Sequence, residues 1–432
     1  FNVQGSDISK NKNTDNCKKV GIKIFIGHKR KNILNKTIIV RSSAIKNNNI
    51  ELIESRKRKM PIYERVEMLA NIVALKKNIV ITGSHGKTTT TSLVAKILSL
   101  SKLDPTIING GVIKSINSNA KFGKGEWAVL EADESDGSFL KLPINYSVIT
   151  NLDKEHLDYY KSYKNLKNAF IKFIKKTPPI GKSIICFDNK DLKNILKKIN
   201  KKNYLTYGFD KNSNYQILNP RFELTFSKFD LKISNHGTKK IIIKNIVLTL
   251  IGKHNVLNAS GAIAVCLNLG ISINTIKKAL RNFSGVERRL TKVFKKNRNE
   301  FFDDYAHHPT EIQSVLEGLR KVYKDRKIIS VFQPHRYSRI KNLKKEFSSC
   351  FSIADVVLLC PVYAAGEKKD NNFKFDHFAN LISENSKVQV IKINDKVDLT
   401  YYFKKNLIDN EIIIGMGAGS ISKWIYDLEN TI

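Results

Sequence analysis

The chain has few of several things. Five cysteines in 432 residues (Cys17, Cys186, Cys266, Cys350, Cys360) form no C-x-x-C pair, and their number is odd. That argues against a disulfide framework and for free thiols in a reducing compartment, the cytoplasm. No apolar run approaches the ~18 residues that a membrane helix needs. The opening residues lack the basic stretch and following apolar segment of a secretory leader. Acidic residues are scarce: 39 Asp and Glu stand against 75 Lys and Arg, a formal net charge of +36. Arginine is scarce as well, 14 against 61 lysines. Such a balance raises nucleic acid as a partner. The lysines, however, are spread along the whole chain among Asn and Ile, whereas readers of phosphates and bases cluster Arg with aromatics. Neither nucleic acid nor membrane is expected as a partner. Four of the arginines stand instead in two tight motifs, Arg288 with Arg289 and Arg336 with Arg339.

What is present is a chain with 41% hydrophobic residues, able to bury a core and long enough for two or three domains of ~150 residues. Up to residue 77, short β-like runs (22–26, 37–41) alternate with helical segments (49–59, 63–75). Strands are expected at 127–131, 146–150 and 183–187, a β-rich stretch over 221–250, and a helix from about 255 to 269. Beyond 286 the alternation resumes, with helices at 310–323 and 341–352 and strands near 301, 327–332, 355–359, 387–391 and 412–415. This is an α/β pattern with mostly parallel sheets, divided into modules 1–77, 78–285 and 286–432.

The stretch "NIVITGSHGKTTTTSLVAKIL" (78–98) reads as buried strand, glycine turn and helix, the arrangement that seats an anion at a helix N-terminus. Its spacing is G-x-x-G-K-T, two residues shorter than the common phosphate loop. N–H groups around Ser84–Lys87 would cradle phosphate oxygens, Lys87 would reach the β- and γ-phosphates, and the Thr88 hydroxyl would ligate Mg²⁺. A carboxylate is then needed at a neighbouring strand end. "WAVLEADESDGSF" offers Glu131, with Asp133, Glu134 and Asp136 close behind in an acidic run. "YSVITNLDKEHLD" offers His156, an unusual ligand for so hard a cation. A guanine-reading N-K-x-D is missing from "TNLDK", because Leu152 stands where the lysine would be.

Asn255 and Asn258, three apart at a helix start, suit an adenine edge. Arg336 and Arg339, also three apart, can grip a carboxylate or phosphate together. His307 and His308 are adjacent, so their side chains diverge, unlike a zinc pair. The final "IIIGMGAGS", with Gly415, Gly417 and Gly419, reads as a packing turn.

Taken in order, "GSHGKTTTT", "EADESDGSF", "TNLDKEHLD", "GKHNVLNA", "DDYAHHPTE", "QPHRYSR" and "YAAGE" resemble the Mur ligases over essentially the whole chain. "DDYAHHP" and "QPHRYSR" are most similar to the alanine-adding branch. The resemblance implies three α/β domains: a Rossmann-like N-terminal domain, a central P-loop ATPase domain with a mostly parallel sheet, and a Rossmann-like C-terminal domain. It implies a reaction too: with ATP and Mg²⁺, L-alanine is joined to the carboxylate of UDP-N-acetylmuramate through an acyl phosphate. Carried over by motif, Gly83, Ser84, His85, Gly86, Lys87, Thr88 and Thr89 hold the nucleotide. Lys87 stabilises the transferring phosphoryl group, and Thr88, Glu131 and His156 hold the metal. Asn255 and Asn258 meet adenine, and Arg288 or Arg289 meets the nucleotide from the third domain. Tyr305, His307, His335, Arg336 and Arg339 shape the alanine site, with His307, Arg336 and Arg339 acting in catalysis. Ser6 and Asp7 approach the uridine.

Two departures are visible. The family's opening strand and glycine-rich turn, which receive the UDP diphosphate, have no counterpart here, so the first βα unit is expected to be missing and UDP-N-acetylmuramate to bind poorly. At Phe170-Ile171-Lys172 no carbamylated lysine is assigned. Two rivals remain: a recycling ligase that attaches a tripeptide to the same nucleotide sugar, and, in another class, a nucleic-acid-binding P-loop ATPase. Oligomeric state is not legible.

Overall fold

The computed structural model describes residues 2–234 and 241–432. The chain forms two compact units: Phe1–Lys76 with Ser138–Pro143, and Lys77–Gly137 with Ile144–Ile432.

In the smaller unit, strand Gln4–Asp7 pairs in parallel with Lys23–Ile26, and Ile39–Arg41 with Ile62–Glu64. The helix expected at 63–75 begins only at Arg65, because Ile62–Glu64 is taken by that second pair. Glu64 caps the helix while Glu67 Oε2 accepts the Glu64 N–H at 2.8 Å, a capping box. Lys141 joins Ser138–Pro143 to this unit by donating to Glu64 Oε2 (2.6 Å) and Glu67 Oε1 (3.0 Å).

The larger unit holds a ten-stranded and a six-stranded sheet. In the first, strand Lys77–Thr82 lies between Tyr146–Ile149 and Trp127–Glu131, all parallel. Ile79, Val80 and Ile81 are all fully buried. Neighbouring strand residues point to opposite faces, so both faces are covered, which is why the run is continuously apolar. The helices Lys87–Leu100 and Lys253–Asn268 pack together over this region, each with most of its residues buried. The β-rich stretch is an antiparallel extension of the same sheet, Tyr215–Phe222, Ser227–Ile233 and Ile241–Leu248.

In the six-stranded sheet, Asn299–Asp304, Ile412–Met416 and Ile328–Phe332 are parallel neighbours. Their carboxyl ends therefore bring "DDYAHHP", the last glycines and "QPHRYSR" to one edge, although 23 (310–332) to 105 (310–414) residues of chain separate the motifs. The glycines do pack as a turn: a Cβ on Gly415 would strike Ile425, and one on Gly419 would strike Gln333 and Tyr363. The helix expected at 341–352 is broken at Leu343 (φ −125°, ψ 27°) into Tyr337–Asn342 and Lys344–Ser349, and Leu343 and Phe347 both enter the core. Helices Phe375–Ser386, Lys396–Asn406 and Ile421–Leu428 were not anticipated. The segment joining the two sheets is fastened to the first: Glu287 N donates to Val112 O (3.0 Å), and Lys114 N to Gly285 O (3.3 Å). Among the described residues no helix is long and apolar enough to cross a membrane.

Candidate active site

The glycine turn after Lys77–Thr82 sits at the carboxyl edge of the sheet, where open α/β folds hold ligands. Gly86 caps the following helix with φ +79°, and a Cβ there would collide with the Asn258 amide. A Cβ on Gly83 would collide with Thr150. The loop is thus moulded against its neighbours. Of the N–H groups expected from the sequence, around Ser84–Lys87, two are used within the protein. Ser84 N donates to Asn151 O (3.3 Å) and His85 N to Asn151 Oδ1 (2.8 Å), so both are already taken. The N–H groups without an intrahelical acceptor are those of the first turn, Lys87, Thr88 and Thr89. The His85 ring is occupied as well: Nε2 donates to Asp153 Oδ2 (2.8 Å) and Nδ1 to Glu311 Oε1 (3.1 Å). Both acceptors are carboxylates, so both nitrogens carry protons. Burial opposes that charge, but Glu311 and Asp153 outweigh it and raise the ring to about 10. His85 was expected to contact nucleotide; its N–H and both ring nitrogens are bonded within the protein, and the residue lines a cavity beside the loop.

Lys87 Nζ donates to Gly83 O (2.7 Å), Ser84 O (3.2 Å) and Glu134 Oε2 (2.9 Å). Glu134 is 1% exposed. Burial alone would raise its carboxyl, but Lys87 and His156 hold it down at about 2. Thr88 Oγ1 donates to Glu131 Oε1 (3.0 Å), and Glu131 Oε2 accepts from Gly110 N (2.6 Å). The expected metal set is thereby divided. Thr88 and Glu131 meet, whereas His156 groups with Asp133 and Glu134, its Nε2 lying 3.5 Å from Glu134 Oε1. The sequence named Glu134 but passed over it as part of a solvated acidic run. The signal against that reading was its place just past a buried strand.

From the C-terminal side, Arg289 Nη2 comes within 3.5 Å of Thr88 Oγ1. Arg288, grouped with it in the sequence, points elsewhere: Nη2 donates to Gly417 O (2.6 Å), and Nε lies 3.7 Å from Asp303. Its charge is used within its own sheet. The motif edge gathers Tyr305, His307 and His335, the His307 ring meeting those of Tyr305 (5.2 Å) and His335 (5.5 Å) edge-on. His307 Nδ1 donates to Tyr305 O (2.9 Å), leaving Nε2 as an acceptor. His335 Nδ1 accepts from Arg339 Nη1 (2.9 Å), leaving Nε2–H as a donor. Burial keeps both rings neutral, His307 at about 4, and His335 at about 3 with help from His307, Arg339 and Arg336. Arg336 has no side-chain hydrogen-bond partner among the described residues. Tyr363, in "YAAGE", stacks on His335 at 5.8 Å, a neighbour the sequence reading did not assign. Asp304, bonded to Leu290 N (2.6 Å) and Ala306 N (2.7 Å), is raised by burial to about 6.

A cavity of about 270 Å³ opens beside the loop, lined by Gly86, Thr89, Asp188, His254, Asn255 and Asn258 among others. Asn255 Nδ2 donates to Ile251 O (2.8 Å) and Asn258 Nδ2 to Asn255 Oδ1 (3.5 Å), so the longer bond is that of Asn258. In the smaller unit, Ser6 and Asp7 end the first strand. Ser6 Oγ donates to Glu51 Oε2 (2.6 Å), and Asp7 accepts from Ser9 N (3.2 Å) and Asn11 Nδ2 (3.3 Å).

A glycine loop at a helix start, a carboxylate at the next strand end, and motifs gathered at one edge of a second sheet mark an α/β enzyme. Family profiles match the chain in three stretches: "Mur ligase family, catalytic domain" at residues 1–77, "Mur ligase middle domain" at 81–266 and "Mur ligase, glutamate ligase domain" at 288–419. The chain belongs to the Mur ligase family. It is 55% identical over 432 residues to the UDP-N-acetylmuramate–L-alanine ligase of Pelagibacter ubique, covering 100% of this chain and 93% of the relative. It is 42% identical over 423 residues to that of Agrobacterium fabrum, covering 98% and 90%. Among solved structures, UDP-N-acetylmuramate–alanine ligase from Thermotoga maritima superposes with a TM-score of 0.82 at 26% identity, covering 99% and 92%. A murein peptide ligase from Psychrobacter arcticus, at 20% identity and a TM-score of 0.69 over 99% and 93%, shares the fold.

Proposed function

We infer that the chain is an ATP-dependent ligase that joins L-alanine to the carboxylate of UDP-N-acetylmuramate through an acyl phosphate, in peptidoglycan precursor synthesis. The observation that carries this reading is its 55% identity, end to end, with a relative named for that reaction. Residues 1–77 take the nucleotide sugar, 78–285 ATP and 286–432 the amino acid, and the reaction belongs to the cytoplasm.

The residues fit a magnesium nucleotide. Thr88 and Glu131 offer hard oxygens 3.0 Å apart at the head of a helix whose first-turn N–H groups lack intrahelical acceptors. When bound, ATP supplies the phosphoryl group and Mg²⁺ screens its charge. Lys87 leaves the two loop carbonyls for phosphate oxygens while Glu134 keeps it charged and aimed. Arg289 adds a cation from the other sheet as negative charge gathers. Asn258 meets the base. The Nε2–H of His335, with Arg336 and Arg339, takes the alanine carboxylate. His307 Nε2, a lone pair on a neutral ring, accepts a hydrogen from the attacking amine. His156 stands apart from Thr88 and Glu131, in a separate group with Asp133 and Glu134. No role at the nucleotide falls to Arg288, and that of His85 is indirect.

Phosphate release tests the reading. UDP-N-acetylmuramate at saturating concentration, with L-alanine, should stimulate it. L-alanyl-γ-D-glutamyl-diaminopimelate as acceptor should do so at least about tenfold less. Release stimulated by DNA or RNA alone would overturn the ligase reading.

A further inference from the structure

Glu311 was not singled out from the sequence, yet it lines the cavity beside the phosphate loop and its two oxygens face two different parts of the site. It stands at the third position of helix Pro309–Val322, after His308 as N-cap and Pro309 as first residue. A Glu at that place is what a capping box calls for, and Oε2 does that work: it accepts from His307 N (3.0 Å) and His308 N (3.3 Å). A capping box needs nothing more. Oε1, however, accepts from His85 Nδ1 (3.1 Å), 226 residues earlier in the chain and inside the phosphate loop.

His85 is a fixed anchor. Its backbone N–H is held by Asn151 Oδ1, and its carbonyl accepts from Thr150 Oγ1 (2.6 Å) and Asn151 Nδ2 (3.0 Å). Its other ring nitrogen is held by Asp153, and His308 lies against the ring at 4.7 Å. The charged and titratable groups facing this ion pair include Asp153, Glu155, His307, His308 and Arg289, and none of them replaces Glu311 as a link between His85 and the His307 backbone. Glu311, its side chain 11% exposed, is held well below the usual carboxylate range: burial opposes its charge, but His307, His85 and Arg289 more than offset that.

We propose that Glu311 is a positioning residue that locks the acceptor loop at 305–308 to the phosphate loop through His85, fixing the alanine site relative to the transferring phosphoryl group. This deepens the ligase reading and rests on it. The carboxylate's span sets the distance. Glu311→Asp keeps the charge but cannot reach both partners. Glu311→Gln keeps an acceptor for the two backbone N–H groups but loses the ion pair.

Two measurements on the full chain test it. In the first, amide hydrogen exchange is followed over 305–310, with strand 412–416 as the control for an intact fold. His85→Gln, a change in the other sheet's module, should speed exchange of the loop about tenfold, as should Glu311→Asp, with the strand unchanged. A loop exchanging at the wild-type rate in His85→Gln overturns the proposal. In the second, the KM for alanine should rise about tenfold in Glu311→Gln while the KM for ATP moves less than threefold. The double variant with His85→Gln should be no worse for alanine than the worse single one. An unchanged alanine KM, or single effects that multiply, also overturns it. Absence of alanine turnover in the unaltered chain would defeat the reaction reading alone, since the exchange measurement needs no substrate.

Discussion

Lys87 and Glu134 form a buried ion pair at the point where charge must be delivered, and the two residues have different weights in stability and in activity. Removing Lys87 leaves Glu134, 1% exposed, with His156 at 3.5 Å as its remaining charged partner, and an undercompensated buried carboxylate costs up to about 3–5 kcal/mol. Lys87→Ala should therefore lose turnover by at least about a thousandfold and also unfold at lower urea. Adding Glu134→Gln to it should restore most of the stability and none of the turnover. Urea titration beside phosphate release checks both, and retained turnover in Lys87→Ala would remove that residue from the reaction. At this scale the sequence was legible where spacing along one strand and helix decides the outcome, as for Lys87, Thr88 and Glu131. It was not legible where two side chains share a motif but leave it in different directions. Arg288 and Arg289 differ by one position, yet one faces Gly417 and the other Thr88. Glu311 was readable as the start of a helix and not as a partner of the phosphate loop, because no local rule reports a contact across 226 residues.

The helix Lys87–Leu100 begins from a residue in the left-handed region, and that start shapes the nucleotide site. Gly86 at φ +79° turns the chain so that the first-turn N–H groups face outward, and the empty space at its Cα is filled by the Asn258 amide. Gly86→Ala should thus suffer twice, from left-handed strain of about 1–2 kcal/mol and from displacement of Asn258. Gly270→Ala is the matched control, with φ +78° and nothing within 4 Å of the added carbon. Both should lose similar stability to strain, while only Gly86→Ala should weaken ATP binding, by about tenfold or more. Equal ATP affinity in the two would show that Asn258 is not set by this contact. Elements with a continuous apolar run or a glycine boundary, such as Lys77–Thr82 and Lys253–Asn268, were legible from the chain. The strand Ile62–Glu64 was not, because three residues carry too little periodicity and its partner Ile39–Arg41 decides the matter. Nor was the break at Leu343, where packing of Leu343 and Phe347 into the core overrides a sequence that would continue as helix.

At the scale of the whole molecule, the charge of +36 and the division into two units have separate consequences. The charge is lysine distributed over the surface, and the informative cations are the few held by carboxylates at the site. The division bears on how the molecule unfolds. All the groups proposed to face the nucleotide, from Gly83 to Arg289, belong to the unit of Lys77–Gly137 and Ile144–Ile432. A ligand stabilises only what it binds: at a hundred times its dissociation constant it adds about 2.7 kcal/mol to the state that holds it. A chain of more than one compact unit need not unfold in one step. Calorimetry with a non-hydrolysable ATP analogue and Mg²⁺ should then show the transition of the larger unit moving up by a few degrees. That of the smaller unit should stay in place. If UDP-N-acetylmuramate is added alone, a shift of the smaller unit's transition would place the nucleotide sugar there. One transition that moves as a whole with either ligand would mean instead that the two units are energetically a single body. The assignment of ligands to modules would then have to come from contacts alone.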